Sequence, residues 1–363
     1  MMILFFIRDI TDCGGIQQAT CNLIRSLLKN FDIKIEVISL YHENETPFFK
    51  IPDIAKLTFL FNRKIDLHKN GHEIKKRLCK SMKGKSFDYL IVQGSEYSNY
   101  IPSKIWKKNV IVCEHGYFGF GHTLGIHWRG VRMALRKATA IVTLTELDAK
   151  NFRHAAKRNI DIRHIYNAVY YDETDLDCYN LDSKRIVSCG SLSKVKGFER
   201  VIKVARIVVN VHPEWKWEIY GDGYLKTYLD QLIRESNLEG KVILKGYERD
   251  KSIIFSDKAI TVVTSEFEGF GMVLLESMHY KVPIISFDIK YGPKEIVESF
   301  KNGELVKAFD CNALAARINY LIDNPNVRKK YSDYATVSMQ RFLPDKIAND
   351  WIDLFEDLKC RGV

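Results

Sequence analysis

Glu268 and Glu276 bracket the segment Glu268-Gly269-Phe270-Gly271-Met272-Val273-Leu274-Leu275-Glu276. The apolar run Ala259–Val263 before it reads as a buried strand, and Val273–Met278 reads as a helix. One carboxylate then lies on a loop and the other about two turns into the helix, so the pair can grip two ends of one polar ligand. The backbone N–H groups of Phe270, Gly271, Met272 and Val273, at a helix N-terminus, favour a phosphate. The same stretch also reads as a plain Glu-Gly turn before a helix carrying a solvated glutamate, and the spacing alone leaves both open.

Two glycine elements offer matching chemistry. Strand Ile186–Cys189 ends in Gly190-Ser191-Leu192-Ser193-Lys194-Val195-Lys196-Gly197, where two lysines above a helix N-terminus suit a diphosphate. Strand Ile3–Ile7 leads to Gly14-Gly15 and a helix, a backbone without side chains that a phosphate or sugar can approach closely. It is not the G-x-G-x-x-G of dinucleotide binders. A solvated basic turn and an ordinary Gly-Gly turn remain the alternatives.

These elements sit in an alternation of strand and helix patterns along the chain. The strands are expected at Ile3–Ile7, Ile33–Leu40, Leu57–Phe61, Tyr89–Val92, Val110–Cys113, Ala140–Leu144 and Ile162–Tyr166. After a polar stretch, Tyr171–Asp177, which reads as a linker, they resume at Arg185–Cys189, Trp217–Tyr220, Val242–Leu244, Ile260–Val263 and Ile284–Phe287. Such alternation implies α/β architecture with two doubly wound parallel sheets, facing across a cleft, with ligands at the carboxyl ends of the strands.

Composition narrows the classes. The 363 residues exceed what one core usually organises, and 46% hydrophobic with 28% charged residues is a soluble globular balance. No apolar run reaches membrane-spanning length, and Met1–Ile7 lacks the features of a signal peptide. The eight cysteines show no C-x-x-C pair, so reduced thiols and a cytosolic chain are expected. The net charge of +10 is uneven: residues 1–170 carry 27 lysines and arginines against 15 acidic residues, and the remainder 28 against 30. Lys75, Lys76, Arg77, Lys80, Lys83 and Lys85, with Arg129, Arg132, Arg136 and Lys137, would suit an anionic surface: a cytoplasmic leaflet, a phosphorylated acceptor or nucleic acid. A solvated lysine-rich face is the plain alternative.

Taken in order, Gly190-Ser191-Leu192 with Lys196-Gly197, Tyr220-Gly221-Asp222-Gly223, Leu244-Lys245-Gly246-Tyr247, Glu268–Glu276 and Pro283-Ile284-Ile285-Ser286 resemble the donor domain of retaining glycosyltransferases of family 4, which have the GT-B fold. Gly14-Gly15, Cys113-Glu114-His115 and Ile165-Tyr166-Asn167-Ala168-Val169 fit the front half, so the resemblance covers nearly the whole chain. It implies an acceptor domain over 1–168, completed by a C-terminal helix at about 345–363, and a nucleotide-sugar domain over 169–344. It further implies that Glu268 meets the hydroxyls of the transferred sugar, Glu276 the ribose, and Lys196 the diphosphate with help from Gly14-Gly15, Gly190, Ser191 and Gly271-Met272-Val273. His115 would lie near the reacting face of the sugar. Two positions depart from the pattern: Ser191 stands where arginine is usual, and Lys281 where glycine commonly precedes Val-Pro.

The resemblance also implies a nucleotide-sugar donor, a UDP-sugar, as co-substrate with no resident cofactor and no metal. Lysine and helix N-terminal amides can stabilise the leaving diphosphate without one. Asp175-Leu176-Asp177 has the D-x-D form of metal-dependent transferases but falls in the linker. No carboxylate stands out as a covalent nucleophile, which favours a front-face retaining reaction in which the leaving phosphate helps deprotonate the acceptor. Gly116–Leu124, rich in glycine and aromatics, runs into the basic helix pattern Gly125–Arg136, which suits reaching a lipid-linked saccharide at the inner membrane face and reads equally as a surface loop before a helix packed on the sheet. The reading is therefore a hexosyltransferase of bacterial surface polysaccharide (O-antigen or capsule), cytoplasmic and peripheral on the inner membrane. The alternatives are an epimerase or phosphorylase on the same fold, or a basic nucleic-acid-binding protein, which lacks any recognisable module.

Overall fold

The computed structural model describes residues 1–119, 125–170 and 179–361. The chain divides into two compact units, Met1–Tyr170 with Phe342–Val363, and Tyr171–Arg341. The first is built from β1 Met2–Ile7, α1 Gly15–Asn30, β2 Lys34–Ser39, β3 Lys56–Phe59, α2 Gly71–Ser81, β4 Tyr89–Gln93, β5 Val110–Glu114, α3 Ile126–Lys137, β6 Ala140–Thr143, α4 Glu146–Ala155 and β7 Asp161–His164. Its seven parallel strands follow the order β3-β2-β1-β4-β5-β6-β7.

The second unit holds β8 Arg185–Cys189, α5 Phe198–Val211, β9 Lys216–Tyr220, α6 Lys226–Glu235, β10 Val242–Gly246, α7 Lys251–Phe255, β11 Ile260–Val263, α8 Met272–His279, β12 Ile284–Asp288, α9 Pro293–Ile296, β13 Gly303–Lys307, α10 Cys311–Asp323 and α11 Pro325–Met339. Its six parallel strands run β10-β9-β8-β11-β12-β13. The last helix, α12 Pro344–Cys360, packs on α1 of the first unit. Trp351, Leu354 and Phe355 enter the core there, and Tyr89 donates its hydroxyl to the Phe355 carbonyl at 2.8 Å.

The central strands β1, β4, β5 and β11 are buried on both faces, so they are almost wholly apolar rather than alternating. The covering helices place apolar residues at helical spacing: α5 buries Phe198, Val201, Ile202, Ala205 and Val208 against Trp217 and Ile219 of β9. In each sheet the strand order reverses beside the first strand of the unit, between β1 and β4 and between β8 and β11. Connections from neighbouring strands diverge there, which leaves a crevice at the carboxyl ends.

Three expectations need correction. The helix after Glu268 starts at Met272, so Glu276 lies little more than one turn in rather than two. The strand β13 escaped the pattern because Glu304 interrupts its apolar run; that glutamate is buried against Arg317 and the Tyr331 hydroxyl. Lys85, grouped by sequence with the exposed lysines, is instead paired with the buried Glu36 of β2.

Candidate functional site

In the second unit the crevice between β8 and β11 is lined by two loops. After β8, Gly190 and Leu192 donate their N–H groups to the Tyr220 and Asp222 carbonyls at 3.0 and 2.8 Å, which knits this loop to Gly221-Asp222-Gly223 after β9. The knit requires glycine. A Cβ on Gly221, at φ +138°, would sit 1.9 Å from the Gly190 carbonyl oxygen, and one on Gly223 2.6 Å from that of Leu192. The loop ends at Gly197 in the left-handed region, φ +64°, where a Cβ would meet the Thr264 carbonyl oxygen at 2.5 Å. Thr264 returns its hydroxyl to the Gly197 carbonyl at 2.9 Å, so the β8 and β11 loops are locked together.

This lock brings Lys196 to Glu268. The ammonium donates to both carboxylate oxygens, at 2.7 and 2.9 Å, and the buried Ser265 hydroxyl donates to Oε1 at 2.6 Å. Glu268 is only 8% exposed. The loop after β12 backs it closely, since a Cβ on Gly292 would lie 2.9 Å from the Glu268 Cβ and 2.8 Å from the Phe270 carbonyl oxygen. Gly271, at φ +100°, then opens α8, whose first-turn N–H groups at Met272 and Val273 precede the helix's own ladder.

Glu276, 2% exposed, is paired through Oε1 with Lys251 of α7 at 3.2 Å. Burial works against the Lys251 ammonium, yet Glu276 outweighs it and the lysine is held above its ordinary range. Cys189, at the end of β8, lies among both pairs; burial pushes its thiol up to about 12, with Glu276 acting in the same sense and Lys251 and Lys196 against. Lys251 and Ser265 were not legible as site residues, because their partners are 25 positions away or hidden in side-chain geometry. Ser191, in place of the usual arginine, is exposed and shares a hydrogen bond of 3.0 Å with Ser193. Lys194 is exposed, and its backbone N–H donates to the Tyr224 hydroxyl.

Gly14, Gly15 and His115 belong to the first unit. Gly14 caps α1 with an ordinary φ of −79°, and the approach to it is braced by buried Asp9, which accepts from the Thr11 and Glu43 N–H groups at 2.8 and 3.1 Å. His115 follows β5, half-buried, with Nε2 facing Oε1 of Gln93 at the end of β4. That partner assigns the proton to Nε2 and leaves Nδ1 as an acceptor. Burial lowers the imidazole to about 4, although the neighbouring Glu114 carboxylate opposes the shift, so the ring is neutral at pH 7. His115, Thr20 of α1, Gln93, Tyr166, Asn167 and Trp351 line one small cavity of about 20 Å³.

Beneath His115, Glu114 ties both ends of the β5–α3 connection, accepting from the Gly116 N–H at 2.8 Å and from His127 Nε2 at 2.9 Å. Asp148 of α4 takes the Phe118 N–H at 2.7 Å. The Phe118 ring packs edge-on against Trp128 and Phe152, so these aromatics face the core rather than a bilayer; residues 120–124, in the rest of the aromatic loop, lie outside the described residues. Tyr171–Asp177, with Asp175 and Asp177, lies outside them too. Among the described residues no three His, Cys, Asp or Glu are grouped to hold a metal ion, and no helix is long and apolar enough to cross a membrane.

The family model for glycosyl transferases group 1 matches residues 179–359, the stretch that carries the two loops and both Lys–Glu pairs. The chain belongs to the GT-B glycosyltransferases. This glycosyltransferase is similar over nearly its whole length to bacterial proteins. One is an uncharacterized glycosyltransferase of Haemophilus influenzae, 26% identical over 350 residues, covering 96% of this chain and 98% of the other. The second is the GalNAc-alpha-(1->4)-GalNAc-alpha-(1->3)-diNAcBac-PP-undecaprenol alpha-1,4-N-acetyl-D-galactosaminyltransferase of Campylobacter jejuni, 25% identical over 369 residues and covering 99% of each. Its fold matches that of a TarM variant of S. aureus solved with fondaparinux, alpha-GlcNAc-glycerol and UDP, with a TM-score of 0.84 at 17% identity over 98% of this chain and 99% of that one.

Proposed function

We propose that this glycosyltransferase moves a hexose with retention from a UDP-sugar to a lipid-linked saccharide in the assembly of a bacterial surface polysaccharide. The observation that carries the reading is the Lys196–Glu268 contact at the carboxyl ends of β8 and β11. In a donor complex Lys196 would turn to the diphosphate, Glu268 would take hydroxyls of the transferred sugar, and the N–H groups of Ser191, Met272 and Val273 would meet phosphate oxygens, the Gly190 N–H being held by the Tyr220 carbonyl. Glu276 would accept from the ribose. These groups oppose the negative charge that grows on the leaving diphosphate, and charge preorganised in this way lowers the barrier most.

His115, neutral and with Nδ1 as an acceptor, suits a hydroxyl of the sugar better than a phosphate. With no carboxylate assigned as nucleophile, the acceptor oxygen attacks from the side the diphosphate leaves, and a phosphate oxygen takes its proton. The α-linkages in the names of the Campylobacter relative and of the TarM ligand accord with retention from an α-configured donor.

The acceptor reading rests on the undecaprenol-linked saccharide in the relative's name and on the basic face of the first unit. Lys75, Lys76, Lys80 and Lys83 on and after α2, and Arg129, Arg132, Arg136 and Lys137 on α3, are exposed, and both helices pack on the segment Ser95–Tyr100. Such a face suits the anionic cytoplasmic leaflet, each cation contributing about 1 kcal/mol at the surface.

The test is a panel of UDP-, GDP- and dTDP-sugars assayed for thermal stabilisation, followed by mass spectrometry of a lipid-diphosphate saccharide incubated with the best of them. The reading expects stabilisation by one or two UDP-sugars and a mass gain of one hexose or N-acetylhexosamine. Stabilisation by none of the panel would remove it.

A further inference from the structure

Each glutamate of the Glu268–Glu276 segment is matched by a lysine from another element, and the second match, Lys251 with Glu276, has no counterpart in the sequence pattern. Glu276 is more deeply buried than Glu268, and an isolated carboxylate at that depth is strongly disfavoured. A pair of this kind is poor value as mere stability, since well-packed apolar residues do as well or better. Its position is what distinguishes it: it borders Cys189 at the end of β8, one residue before Gly190, in the crevice where doubly wound sheets bind their ligands.

The lysine is also built into place. Asp250 caps α7, accepting from the Ser252 N–H and hydroxyl at 2.8 and 2.7 Å, and this fixes the backbone from which Lys251 reaches Glu276. The groups that face its ammonium are Glu276, Cys189 and Tyr247. Glu276 is the strong one.

We infer that Lys251 is a positioning residue for recognition of the donor's ribose: it fixes one oxygen of Glu276 and supplies the counter-charge that keeps this carboxylate a strong acceptor for ribose hydroxyls. The inference rests on the reading of Glu276 as the ribose-binding group. Without Lys251 the buried carboxylate loses this counter-charge and the fix on its Oε1, so the ribose hydroxyls meet a weakened acceptor while the diphosphate keeps Lys196 and the loop amides.

The experiment is calorimetric titration of wild-type, K251M, K251R and E276Q with the tightest binder among UDP, GDP and ADP, and with its 2′,3′-dideoxy analogue. Wild-type is expected to prefer the ribonucleotide by about 10-fold or more, the scale of a hydrogen bond to a charged group. K251M and E276Q should bring the two affinities to within about threefold, chiefly by weakening the ribonucleotide, and K251R should restore part of the preference. A purely structural lysine would weaken both nucleotides together and leave their ratio intact; that result, or an unchanged ratio in K251M, overturns the inference alone. If wild-type binds none of the three nucleotides, the donor-site reading fails and takes this inference with it.

Discussion

Lys196 and Glu268, 72 residues apart, meet in a two-pronged contact of 2.7 and 2.9 Å that joins the loops after β8 and β11. The lysine side chain is partly exposed and the glutamate nearly enclosed, so the two are not equivalent. K196M strands a buried charge and should lower stability by about 1–3 kcal/mol, less than a fully buried pair would cost. K196M with E268Q removes both charges and should recover most of that loss. Urea unfolding of the four proteins measures the coupling; a double variant no more stable than K196M would mean the contact is incidental.

The glycines of the two phosphate-side loops are steric requirements. G221A puts a methyl 1.9 Å from the Gly190 carbonyl oxygen at φ +138°, so the loops must part. It should cost about 3 kcal/mol or more and abolish nucleotide binding. G240A also has a left-handed φ, +73°, but faces open space and should cost only about 1 kcal/mol with binding retained. Equal losses in the two variants would contradict this packing.

The sequence made the architecture legible because parallel strands buried on both faces are near-continuous apolar runs; β8 and β11 fall where the pattern put them, within one residue. It failed where polarity is compensated from afar: Glu304 hid β13, and Lys85 looked like one more surface lysine until Glu36 was found beneath it. The segments carrying Gly190, Lys196 and Glu268 could be placed at strand ends, but the Ser265 hydroxyl, Lys251 and the Gln93–His115 contact could not. Each depends on how two distant strands end side by side, and no local spacing encodes that.

Lys281 occupies a left-handed position, φ +58°, after α8, where the family commonly has glycine. An L side chain is strained there by about 1–2 kcal/mol, and glycine returns part of that to unfolded-chain entropy. K281G should therefore raise stability by up to about 1 kcal/mol without changing nucleotide affinity. Thermal unfolding checks it; a lower melting temperature would show that the lysine makes a compensating contact.

Asp148 links stability to pH. Burial, helped by Glu114, lifts its carboxyl to about 7, while the Phe118 N–H pulls the other way. The unfolded chain ionises this group in the ordinary carboxylate range, so between about 4 and 7 the folded state binds more protons, and stability falls as pH rises through that window. D148N removes the linkage and can still accept from Phe118. Its stability relative to wild-type should improve between pH 5 and pH 8.5; a difference that stays constant across those conditions would exclude Asp148 as the titrating group.

The central claim is that sugar transfer depends on the second-unit site and retains configuration. The most direct measurement follows wild-type and E268Q, both confirmed folded by melting, with the best-binding UDP-sugar and a lipid-diphosphate saccharide, and reads the product's anomeric coupling by NMR. The account predicts an acceptor extended by one α-linked sugar in wild-type and a rate lower by about 10²–10³-fold in E268Q. A β-linked product, or undiminished transfer by E268Q, would contradict it.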